Sequence, residues 1–179
     1  MLSFFRRRPH ERTGFELYCA AVAAARAPAF YAELGVPDTF DGRFDLVGLH
    51  VFLLIRRLTA LPPPGPDLAQ AVFDAMFHDM DMTLREIGVG DMSIGKKVKK
   101  MWEAFHGRSA AYAQALAEAD PMALEAALAR NVWRGKAGPG QTAPLARIAR
   151  AIDANLAAQP LEGFVAGKAG FLAPAEALA

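Results

Sequence analysis

The sequence predicts an all-α fold, a single helical bundle of about six or seven helices with a long antiparallel pair at its centre. Three observations support this. Hydrophobic residues make up 53% of the 179 positions, enough apolar surface to offset the ordering entropy of a core. Much of that share is alanine, the strongest helix former, whereas Val, Ile and Thr are sparse and strands poorly supported. Apolar residues also recur at helical spacing in segments divided by Gly and Pro breaks.

Residues 1–12 read as a basic and aromatic arm, 13–158 as the helical domain, and 159–179 as a tail. Thr13 is placed to cap a helix running through Phe15, Leu17, Tyr18 and Val22 and stopping near Pro28. A short helix from Phe30 to Leu34 ends at Gly35, and Pro37 makes the following four residues a rigid turn. The stretch from Phe44 to Leu58 is apolar on nearly every face, the mark of a central helix. The Pro62-Pro63-Pro64-Gly65-Pro66 run then breaks the chain. Asp67 is placed to cap the next helix, whose stripe includes Val72, Phe73, Met76, Phe77, Met80, Leu84 and Ile87.

Gly88 ends that helix, and Asp91 or Ser93 caps the one after it. The three-residue link makes the two long helices antiparallel neighbours. On the second, Ile94, Val98, Met101, Trp102, Phe105, Tyr112 and Leu116 form one stripe, with Lys96, Lys97, Lys99 and Lys100 on the opposite side. Asp120-Pro121 reads as cap and first position of a further helix carrying Met122, Leu124, Leu128 and Trp133. Thr142 caps a last helix with the stripe Leu145, Ile148, Ile152 and Leu156. The tail alternates Gly with Phe164, Val165, Phe171 and Leu172, a pattern that specifies no element.

A net charge of +1 gives no global field to attract nucleic acid, and none is expected as a partner. The single Cys19 permits no internal disulfide and fits a reducing compartment. The most apolar run, Leu46 to Ile55, is about half the roughly 20 residues a membrane span requires. No apolar h-region follows Arg6, Arg7 and Arg8, so no secretory signal is expected. Phe4 and Phe5 beside those arginines read either as a frayed terminus or as a foot on an anionic membrane surface.

The stretch from Gly90 to Lys96 matches G-x-x-x-x-G-K, but a phosphate loop needs a preceding strand and a hydroxyl after the lysine. Here a helix precedes it and Lys97 follows. Asp74, His78, Asp79 and Asp81 share one helix without the paired Glu-x-x-His of a di-iron site, so a solvated face is expected and no metal. His50 lies in the most apolar helix, where a core histidine bonded to a carbonyl is the expectation. The alternative is a haem or small-ligand binding protein using His50 or His78. No serine sits in a nucleophile elbow, so neither an enzyme nor a cofactor is expected. The lysine face offers a solvated surface or a docking site for an acidic segment, lipid headgroups or RNA, in that last case without interleaved aromatics.

Two blocks carry a resemblance. The first runs from Phe30 through Glu33-Leu34-Gly35-Val36-Pro37-Asp38-Thr39 to Gly42-Arg43-Phe44-Asp45 and Leu49-His50. The second runs from Leu84-Arg85-Glu86-Ile87-Gly88-Val89-Gly90-Asp91 through Lys96, Lys100-Met101 and Phe105-His106-Gly107-Arg108 to Ala111-Tyr112. In this order they resemble the ubiquinol-cytochrome c chaperone family, over roughly residues 15 to 135. The resemblance implies an all-α protein that helps assemble the cytochrome bc1 complex by binding newly made cytochrome b or an early intermediate. Family members in mitochondria act with a small partner protein near the ribosome. Glu11, Glu16 and the scarcity of Ser argue against a mitochondrial presequence, so a bacterial cytoplasmic member, peripheral to the inner membrane, is expected. The matching charged positions make Arg85, Lys96, Lys100 and Arg108, with Lys97 and Arg43, the expected partner contacts. Glycines 88, 90 and 107 are expected at helix ends and close contacts.

Overall fold

In the computed structural model, residues 10–179 are described, and every regular element among them is a helix. They are α1 (Glu11–Ala25), α2 (Pro28–Ala32), α3 (Phe40–Thr59), α4 (Gly65–Glu86), α5 (Asp91–Ala117), α6 (Pro121–Val132), α7 (Thr142–Ala158), α8 (Leu161–Val165) and α9 (Pro174–Leu178). The all-α expectation holds. The helix count is higher than expected because the tail contributes α8 and α9. The arm with Phe4, Phe5, Arg6, Arg7 and Arg8 lies outside the described residues.

The helix at the centre is α3. Its buried residues fall on all sides, and α1, α4, α5, α6 and α7 all pack on it. It starts where Thr39 accepts a hydrogen bond from the Gly42 amide (3.1 Å), and Arg56 and Arg57 lie in its last turn, where cations favour the helix dipole. Burial of Leu46, Leu49, Leu53, Leu54 and Leu58 contributes about 1.5–3 kcal/mol per side chain.

The two longest helices are α4 and α5. They form an antiparallel hairpin, in which Phe73 and Phe77, well back from the turn on α4, meet Phe105 on α5 at ring separations of 5.8 and 6.2 Å. The pair does not occupy the centre. α4 buries its stripe against α1 and α3, whereas α5 buries only Ile94, Phe105, Tyr112 and Ala115. Trp102 is accordingly 45% exposed and stacks on His106, one turn away. Phe15 and Met122, expected in core stripes, are likewise exposed, because α1 turns Gly14, Leu17 and Tyr18 inward and Met122 sits in the first turn of α6.

The start of α6 agrees with the sequence, and the other starts drift by one to a few residues. Asp120 accepts from the Met122 amide (2.9 Å) with Pro121 at the first position. By contrast, α1 begins two residues before Thr13, and Gly90 rather than Asp91 precedes α5. α4 begins at Gly65, which leaves Asp67 in the first turn. Thr142 is the first residue of α7, where its hydroxyl bonds Glu125 on α6 (3.1 Å).

The tail folds back. Phe164 on α8 is fully buried, and Gln159 clamps Gly170 through two hydrogen bonds of 2.6 and 2.9 Å. α9 packs on α7, with Arg147 donating to the Leu178 carbonyl (3.1 Å).

Candidate functional site

Two polar regions carry the chemistry that the sequence singled out. The first is internal. Asp45 on α3 is enclosed, its side chain 0% exposed, and receives Arg108 from α5 on one oxygen and Arg134, after α6, on the other (2.6 Å). Arg108 also lies over the Phe44 ring at 5.8 Å. Ser109 and Tyr112 line a small cavity beside this group, together with Gly48 and Leu49. Burial pushes the Asp45 carboxyl up to about 6, while the two arginines hold it back. Burial and the charge on Asp45 both raise the Tyr112 hydroxyl.

This node ties three helices together through one carboxylate. It accounts for Asp45, Arg108 and Tyr112 in the two sequence blocks. Arg108 points inward, with its side chain 20% exposed. Arg134 was not legible in the sequence, because it reaches Asp45 from a left-handed backbone conformation (φ 54°) just past the end of α6.

The second region is the outside of the α4–α5 hairpin. Arg85 joins Asp81 (2.8 Å) and Asp91 (2.9 Å), fastening the end of α4 to the start of α5. Asp79, expected on a solvated face, instead accepts a 2.6 Å hydrogen bond from Tyr18 on α1. Arg43 pairs with Asp38 (2.6 Å) across the turn before α3. Lys96, Lys97 and Lys100 are exposed on α5 and have no ion pair among the described residues, while Lys99 lies 3.9 Å from Glu103. Of the six expected partner contacts, the three arginines are therefore engaged by carboxylates and the three lysines are open.

Gly88 takes a positive φ of 82° and closes α4, as expected. Gly90 and Gly107 have open space where a Cβ would stand, so neither serves close packing. The close approaches are at Gly14 against Ala71 and at Gly42 against Pro37.

His50 is 1% exposed, with Nδ1 2.8 Å from the Leu46 carbonyl and its ring between Phe30 and Phe171. Nδ1–H donates, which leaves Nε2 a buried acceptor without a partner. That nitrogen is buried, so a haem iron could reach it only if its surroundings moved. His78 is exposed on α4. Burial pushes the His50 imidazole down to about 4, the carbonyl contact opposing. Its folded value lies below the unfolded one near 6.5, so the unfolded chain takes up the proton first and stability is lost as pH falls from about 6.5 to about 4. Asp45, raised, has the opposite sign between about 4 and 6. The stability of His50→Leu relative to wild type is therefore expected to rise on acidification through that window, by up to about 1.4 kcal/mol per pH unit. Urea midpoints between pH 4 and 7 check this; a pH-independent difference would contradict it.

Fold and surface together define an all-helical protein with a structural ion-pair node inside and a row of cations outside. Residues 32–171 match the family described as Ubiquinol-cytochrome C chaperone. The chain belongs to that family. It is similar to ubiquinol-cytochrome-c reductase complex assembly factor 1 of Xenopus laevis, 22% identical over 65% of this chain and 58% of that protein. The Mus musculus counterpart is 24% identical over 67% of this chain and 40% of its own length. The chain thus spans about half the length of these curated relatives. The crystal structure of the Cbp3 homolog from Brucella abortus superimposes with a TM-score of 0.84, at 34% identity over 96% of each chain.

Proposed function

We infer that this protein is an assembly factor for the cytochrome bc1 complex, which acts by binding newly made cytochrome b at the cytoplasmic face of the membrane. The observation that carries the reading is family membership over residues 32–171, which takes in both sequence blocks except the first two residues of the first. The names of the relatives agree with it, as both are called reductase complex assembly factors. The work proposed is binding, not catalysis.

No helix among the described residues is long and apolar enough to cross a membrane, so the client and its bilayer meet a surface of this fold. That surface is the outer face of the α4–α5 hairpin with the start of α3: Lys96, Lys97 and Lys100, with Arg85, Arg43 and Arg108 bracing it. The N-terminal arm, through Phe4, Phe5, Arg6, Arg7 and Arg8, adds a second membrane contact.

Affinity capture after cross-linking in native host membranes tests this, comparing wild type with Lys96→Glu/Lys100→Glu. Cytochrome b enriched by the wild type and several-fold depleted by the variant is the expected outcome. Equal enrichment would keep the client and remove the lysines from its surroundings. No cytochrome b with either would refute the function.

A further inference from the structure

The lysine run of α5 has a defined geometry. At about 100° per residue, Met92, Lys96, Lys99, Lys100 and Glu103 fall within an arc of about 100°. The buried residues Ile94, Phe105 and Tyr112 lie diametrically opposite. Lys97 and Trp102 flank this arc, one on each side. Met92 is 95% exposed and Trp102 45% exposed, so the outer face is a row of cations with an apolar side chain at one end and an indole along one edge. Four lysines face a single carboxylate, Glu103, among the described residues. Asp91, at the start of the same helix, is already occupied by Arg85.

We propose that this outer face of α5 is a docking surface for an anionic bilayer, with Lys96, Lys97, Lys99 and Lys100 on lipid phosphates and Met92 and Trp102 at the headgroup level. The inference rests on the reading that the client is a helical membrane protein on the cytoplasmic side. Cytoplasmic loops of such proteins carry an excess of Lys and Arg. A lysine face would repel those loops, whereas the anionic lipids beside them attract it. Lysine suits that ligand, being a compact charge on a flexible stem that follows a disordered layer of phosphates rather than a fixed fork geometry. A single-stranded nucleic acid fits less well, because it requires open aromatic faces for stacking. Here His106 covers the Trp102 ring at 3.9 Å between centroids.

The surface places the chaperone with α5 against the membrane and α3, behind it, directed away. The rest of the hairpin rim then lies beside the client's emerging loops.

The test is co-sedimentation of the full chain with vesicles of phosphatidylcholine alone or mixed with phosphatidylglycerol. Three proteins are compared: wild type, Lys96→Gln/Lys99→Gln/Lys100→Gln, and Arg130→Gln/Lys136→Gln/Lys168→Gln, which removes three exposed cations elsewhere. Thermal melts confirm that all three fold. Wild type and the second triple variant are expected to bind the anionic vesicles and not the neutral ones. The α5 variant should partition roughly 10- to 100-fold more weakly. Equal binding by all three, equal loss in both variants, or no anionic preference would overturn the proposal. Binding of single-stranded RNA with the same variant sensitivity, and none to vesicles, would overturn it in favour of nucleic acid. Capture of cytochrome b from detergent, where no bilayer remains, separates the two readings. Retention there by the α5 variant supports the lipid assignment, and loss there with intact vesicle binding overturns it. Vesicle binding without any capture would remove the client and leave the lipid surface standing.

Discussion

Arg108→Met is expected to lower stability by about 3 kcal/mol, among the largest losses available outside the apolar core. The guanidinium stands against Asp45, whose side chain is fully enclosed, and over Phe44. Removing it leaves a carboxylate in the interior with Arg134 as its remaining cationic partner. A buried ion pair is weak evidence for stability as a pair, because both charges give up water. The loss comes from stranding one of them. The double variant Asp45→Leu/Arg108→Met should therefore recover most of the deficit. For a chain of this size the single change corresponds to a fall in melting temperature of roughly 6–12 °C. A double variant as unstable as the single one would show that Asp45 has work beyond its pairing.

Gly42→Ala is the second. A Cβ at this position would stand 1.9 Å from the Pro37 carbonyl oxygen, a backbone atom in a turn stiffened by the proline ring. The first turn of α3 must then move, and with it the Thr39 hydroxyl that caps through the Gly42 amide. Overpacking and the lost cap together are expected to cost about 3 kcal/mol. Gly88→Ala makes the contrast: nothing lies within 4 Å of its Cβ, and the cost, about 1 kcal/mol, comes from the positive φ alone. Urea denaturation of both variants compares the two mechanisms directly. A Gly42→Ala protein as stable as wild type would mean that the turn yields.

These variants fall in the same blocks that carried the family resemblance. The first block, from Phe30 to His50, holds Gly42 and the Asp38–Arg43 pair that shape the turn before α3. It also supplies the Asp45 carboxylate and His50, a core histidine bonded to Leu46 as its apolar surroundings foretold. The second block supplies Arg85, which fastens the hairpin, and Arg108, which reaches back to Asp45. Of the six residues expected at a contact surface, Arg108 points inward, whereas Arg85 and Arg43 stand at the surface paired with carboxylates. An arginine in a helix reads the same from sequence whether it meets water or a carboxylate from another helix. The open lysines were legible because four cations within five residues cannot all be paired locally.

By itself the sequence determined that the chain is helical, where Pro and Gly divide it, that the segment around Leu46 to Ile55 is central, and which family it belongs to. The first three rest on local physics: alanine's helix preference, the lost amide of proline, the positive φ open to glycine, and apolar periodicity; the family rests on the resemblance of the two motif blocks. Tertiary structure alone decided three things. It set the long α4–α5 hairpin to one side, because α5 buries only Ile94, Phe105, Tyr112 and Ala115. It docked the tail, whose short apolar groups have no periodicity of their own and gain order only from the surface that buries Phe164. It also brought Arg134 to Asp45 across 89 residues of chain, a pairing set by where the chain leaves α6 beside the second turn of α3.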